Sequence, residues 1–160
     1  HGAQVYSIRA VSKNTQNNKR RQLLNKTANS QFIFLGFIAA GLTNLFGMLA
    51  ASEFFSNSMF HELSPEVFSR FGTFMVMVWG LAYIAAARQA HQLPMLCFVF
   101  AFEKAIYVYT WVQWMSSKSE MLPMLQDEAP LLALFYSGYG LIDLAFALFF
   151  LFAGVRAFKK

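Results

Sequence analysis

Glu103 and Lys104 stand side by side in CFVFAFEKAIYVYTWVQWM, an apolar and aromatic stretch from Cys97 to Met115. A carboxylate can accept or return a proton, and an ammonium can hold a developing negative charge. Neither belongs in a hydrocarbon-like run without a reason, because a charge at the centre of a spanning helix costs roughly 2.5–3.5 kcal/mol on insertion scales. A third charge, Asp143, lies inside another apolar run, Leu131 to Val155. Neighbours on a helix point about 100° apart, so Glu103 and Lys104 do not pair easily. The sequence therefore predicts Lys104 against Asp143, with Glu103 as the carboxylate left over and the candidate acid/base.

These charges need elements to carry them. Of the 160 residues, 57% are hydrophobic, 18% aromatic and 13% charged, against about a quarter charged in an ordinary soluble domain. The apolar residues fall in long blocks, which predicts an all-α polytopic membrane protein. Four transmembrane helices are expected in an up-down bundle, with spans near 32–52, 65–87, 95–115 and 131–155 of a 32–155 bundle. A basic segment, 1–31, precedes it and a basic tail, 156–160, follows. The segment NTQNNKRRQ has no apolar period, so its front is expected to be flexible. The stretch from Glu53 to Arg70 is expected to leave the membrane and lie at its interface, with Ser64-Pro65-Glu66 starting the second helix. The 15 residues from Ser116 to Pro130 read as a polar loop.

Charge sets the orientation. The N-terminal segment, the 88–94 link and the C-terminal tail hold ten Lys or Arg and no acid, whereas the loops 53–70 and 116–130 hold two basic residues and six acids. The positive-inside rule then puts both termini in the cytoplasm, in a plasma or bacterial inner membrane rather than an organellar one. The net charge of +5 is thus a topology signal, and nucleic acid is not an expected partner. Trp111 and Trp114, near the outer end of the third helix, read as interfacial aromatics.

The centres of the four spans bring Asn44, Trp79, Glu103 with Lys104, and Asp143 to a similar depth. Tyr83 follows Trp79 at helical spacing, Tyr107 follows Glu103, and Tyr139 precedes Asp143. The predicted ligand-binding set is Asn44, Trp79, Tyr83, Glu103, Lys104, Tyr107, Tyr139 and Asp143, an aromatic pocket with a polar floor. A plain alternative is a helix-locking polar network with no ligand. Gly36, Ala40, Asn44, Gly47 and Ala51 form a small-residue stripe suited to close helix packing.

Other chemistries find no support. There is no phosphate-binding glycine loop, no Cys or His cluster and no Ser/His/Asp set at one depth, so no cofactor or metal is expected. The single cysteine, Cys97, reads as a small core residue. An N-terminal histidine such as His1 can chelate copper, but a basic segment follows and no partner histidine is near. The start at His1 rather than Met points to a processed or partial chain. His61 and Glu62 lack further ligands.

The function expected is a small membrane protein that binds a lipid-like or apolar ligand, or serves as an accessory subunit beside a partner membrane protein or a second copy. One alternative is an intramembrane enzyme on a sterol- or lipid-like substrate with Glu103 as acid/base. Another is proton-coupled transport. The layout of four spans with acids in an aromatic pocket resembles the emopamil-binding-protein type of sterol isomerases in architecture alone, and no residue roles follow from it. The stretch SPEVFSRFGTFMVMVWGLAY is loosely similar to small four-span bacterial proteins of the DoxX type.

Overall fold

The computed structural model describes residues 2–159 and, among them, only helices and short connections. Helix α1 runs from Gly2 to Ala51, α2 from Ser58 to Leu63, α3 from Pro65 to Phe68 and α4 from Arg70 to Ala86. Helix α5 spans Pro94–Lys118, α6 Leu122–Glu128 and α7 Pro130–Phe158. Three stretches are long and apolar enough to cross a membrane: Thr27–Ala51, Pro94–Glu128 and Pro130–Phe158. The chain is a membrane protein on that ground. Helix α4, at 17 residues, is shorter.

The basic front is not the flexible segment expected from its composition, because α1 carries it in one helix into the first apolar run. No proline occurs before residue 65 and no glycine between Gly2 and Gly36, so nothing breaks the helix, and Gln, Arg, Lys, Leu and Ala propagate it well. His1 and Lys160 lie outside the described residues, as do the side chains of Arg9, Lys13 and Lys26.

Helix α1 packs along α4, and α5 along α7. The first pair meets glycine to glycine: a Cβ on Gly41 would lie 2.6 Å from the Gly80 carbonyl oxygen. Gly41, outside the expected stripe, makes this contact, whereas a Cβ on Gly47 would meet nothing within 4 Å. In the second pair, Trp111 fits into the space left by Gly140 and donates its indole N–H to the Tyr136 carbonyl at 2.9 Å.

Two aromatic cores form at opposite ends. One joins Phe37, Tyr83, Phe100 and Phe150, with Cys97 buried among them. The other joins Met48, Phe60, Phe68, Trp114, Tyr136 and Tyr139. Of the two tryptophans near this end of α5, Trp114 is buried and stacks on Tyr136 with ring centroids 4.6 Å apart, and Trp111 is half-buried.

The connections at this second end are folded, not loose. After α1 the chain turns through Glu53, Phe54 and Phe55, all in the left-handed region with φ of 48°, 55° and 68°. The Ser52 hydroxyl accepts from Phe55 N–H at 3.1 Å, and Ser52 C=O accepts from Asn57 N–H at 3.0 Å. Phe60 of α2 and Leu125 of α6 are fully buried. Lys118 donates to the Leu63 carbonyl at 2.7 Å, which satisfies the end of α2 with a cation. The expected helix start at Pro65 yields only one turn; the chain breaks at Ser69, whose hydroxyl accepts from Gly72 N–H and starts α4.

Candidate functional site

Between the two aromatic cores lies a polar layer drawn from α1, α4, α5 and α7. Lys104 donates to Asp143 Oδ1 at 2.6 Å and to Asn44 Oδ1 at 2.8 Å. Asn44 in turn donates from Nδ2 to the Val76 carbonyl at 3.0 Å. The ammonium also sits 5.5 Å from the Tyr83 ring centroid and 5.7 Å from that of Tyr107, within range of cation–π attraction. Lys104 is thus neutralised, doubly hydrogen-bonded and flanked by rings, which is what a buried ammonium requires. Two of its anchors come from other helices, so the pair fixes how α1 and α7 stand relative to α5.

Glu103 faces a different neighbour. Its Oε2 accepts a short hydrogen bond from the Tyr83 hydroxyl of α4, while its buried Oε1 has no partner among the described residues. The carboxylate expected to be left over therefore has one dedicated donor. Tyr83 itself is fully buried, wedged against Phe100 and Phe150.

A groove of about 500 Å³ opens beside the polar layer. It exists because α1 and α7 pack closely only near one end, where Phe37 meets Phe149 and Phe150, and part toward the other. The walls are residues 43–51 of α1 and 131–143 of α7, with Phe68 and Val76 behind. Gly47 and Gly138 keep it open: a Cβ on either would meet nothing within 4 Å. The lining is apolar apart from Thr43, Asn44, Lys104, the two tyrosines and Asp143. Such a shape, mostly apolar with a few convergent polar groups, is that of a small-molecule site.

The eight residues singled out from the sequence separate here. Asn44, Lys104, Tyr107, Tyr139 and Asp143 line the groove. Trp79, Tyr83 and Glu103 do not: Trp79 packs edge-on to Phe100, and Tyr83 with Glu103 forms the interior tie described above. Phe135, Gly138 and Ile142 of α7 also line it and carry no polar signal that a sequence reading could have used. Gly138 was the available clue, since a glycine in mid-helix costs roughly 0.5–1 kcal/mol relative to alanine.

No protein-family model, curated protein or solved structure matches this chain.

Proposed function

We propose that this protein is a four-span membrane protein that holds one lipid- or sterol-like molecule between α1 and α7, its polar end over the Lys104–Asp143 pair. The single observation that carries this reading is the apolar groove with a charged, hydrogen-bonded floor. A hydroxyl on the ligand would donate to the outward side of Asp143, whose side chain is 13% exposed against 2% for Lys104. The remaining apolar length of the ligand would lie along Gly47 and Gly138 toward the lipid. In this arrangement α3 and α4 together, from Pro65 to Ala86, form the fourth span. At about 1.5 Å per residue the 17 residues of α4 cover roughly 25 Å, and the separate turn of α3 before the break at Ser69 makes up the rest of a hydrocarbon core of roughly 30 Å. The charge asymmetry of the connections supports both termini on the cytoplasmic side.

Use of Glu103 as an acid/base has less support, because Glu103 does not line the groove and is engaged by Tyr83. Binding is the function the geometry favours. A photoreactive, diazirine-bearing long-chain alcohol tests it in membranes. Crosslinks should concentrate on residues 43–51 and 131–142 and fall at least tenfold in Gly138→Leu. Labelling spread evenly over the outward residues Phe102 and Leu148 would mean ordinary lipid contact and refute the site.

A further inference from the structure

A second cavity, of about 360 Å³, lies at the opposite end from the groove, where α1, the link after α4 and the end of α7 converge. Its rim is polar and basic: Arg88 and His91 from the link, Arg156 from α7, and Asn29, Ser30 and Gln31 from α1. Its inner wall is apolar, made of Ile33, Phe34, Ala87 and Ala90. Neither arginine has a carboxylate to balance it, since among the described residues the one ion pair is Lys104–Asp143. The chain's acids fall at 53–66, 103, 120–128 and 143, and none lies at this end. Arg156 is held in place partly by the Phe152 ring, with 5.9 Å between the guanidinium carbon and the ring centroid.

We propose that this cavity binds the phosphate headgroup of an anionic phospholipid. Two arginines from separate elements, Arg88 and Arg156, line one space, and guanidinium groups suit the oxygens of a phosphate. Hydroxyl and amide side chains beside them supply further hydrogen bonds. The apolar inner wall, continuous with the membrane-embedded part of α1, favours a lipid over a free phosphate ion, because it gives the glycerol and first acyl carbons a surface to cover. The basic end of a membrane protein faces the leaflet rich in anionic lipid. This inference rests on the membrane placement of the chain and not on the groove between α1 and α7, which shares no residue with this cavity.

The test uses the full chain in mild detergent and native mass spectrometry, with phosphatidylglycerol, phosphatidylcholine and inorganic phosphate as separate arms. Phosphatidylglycerol should be retained at least tenfold better than phosphatidylcholine, and Arg88→Gln with Arg156→Gln should abolish that preference. Removing the same charge in Arg20→Gln with Arg21→Gln, outside the cavity, should leave it unchanged. Arg88→Gln alone changes an exposed link position and should weaken retention severalfold even if the double variant does not fold. Equal retention of both lipids, or equal loss in the Arg20 and Arg21 variant, overturns the site. Binding of inorganic phosphate with no preference between the lipids overturns the assignment to a lipid.

Discussion

Tyr83 and Glu103 are joined hydroxyl to carboxylate between α4 and α5, away from the groove whose floor is Lys104 and Asp143. Two adjacent residues of α5 thus serve different interfaces. One ties α5 to α4, and the other ties it to α1 and α7. Charge cancellation belongs to the second of these, so the two acids are not equivalent in what they support.

Asp143→Ala leaves the Lys104 ammonium buried with only Asn44 as a hydrogen-bond acceptor. Removing one partner of a buried pair costs about 3–5 kcal/mol, and the thermal midpoint in detergent should fall accordingly. Glu103→Gln keeps an oxygen that can accept from Tyr83 and should cost far less. A combined Lys104→Met and Asp143→Leu variant should regain most of the loss, since no charge is left stranded. Equal shifts for Asp143→Ala and Glu103→Gln would show that the pair is not what holds the helices.

Gly80→Ala should be destabilising and Gly47→Ala should not. A Cβ on Gly80 would lie 2.8 Å from the Gly41 carbonyl oxygen and 2.9 Å from Asn44 Cβ. The first of these is backbone and cannot swing away, so α1 and α4 must separate, at about 1–3 kcal/mol for such overpacking. Gly47 faces open space, and the same change there should stabilise the helix by about 0.5–1 kcal/mol. Chemical unfolding of the two variants side by side reads the difference in sign.

Gly140→Ala should expel the Trp111 indole, because a Cβ there would lie 2.2 Å from its Cγ. The bond from Trp111 to the Tyr136 carbonyl would be lost, leaving the indole N–H without its acceptor. Tryptophan emission should change relative to wild type, in step with a lower thermal midpoint. An unchanged spectrum would place Trp111 elsewhere.

Phe54→Gly should raise stability. Phe54 holds a φ of 55° and is 77% exposed, so glycine relieves the left-handed conformation, worth roughly 1–2 kcal/mol for a residue with a side chain, at little loss of packing. Phe55→Gly should gain less, since Phe55 stacks on Phe74 at 4.6 Å between centroids. Melting curves of the two variants check the ranking.

The membrane class, the apolar helices and the Lys104–Asp143 pair were legible in the sequence, because an unbroken apolar run and a charge within it have few physical explanations. The groove was only half legible. Its polar floor carries charges, but its walls are ordinary apolar residues and two glycines that leave space rather than make contact. The packing of α1 was read in part: of the row Gly36, Ala40, Asn44, Gly47 and Ala51, Asn44 lies against Gly80 of α4 and Gly36 against Phe149 of α7, whereas Gly47 faces open space and Gly41, beside the row, also meets α4. Which side of a stripe receives a neighbour depends on the other helix. Burial of Phe60 and Leu125 in short connecting helices was not legible either, because one or two turns are too few for periodicity to indicate a face.

The layout of the polar layer also bears on how the chain is assembled. Synthesis delivers Asn44 first, Lys104 next and Asp143 last. When α5 enters the bilayer, Asp143 has not yet been made and the neighbouring Glu103 is turned to Tyr83 of α4, so Asn44 is the cross-helix acceptor already in place for the ammonium. Asn44 therefore acts as an escort for a charge whose permanent partner has yet to leave the ribosome. Its loss should reduce the yield of correctly inserted protein by more than it lowers the stability of molecules that complete insertion.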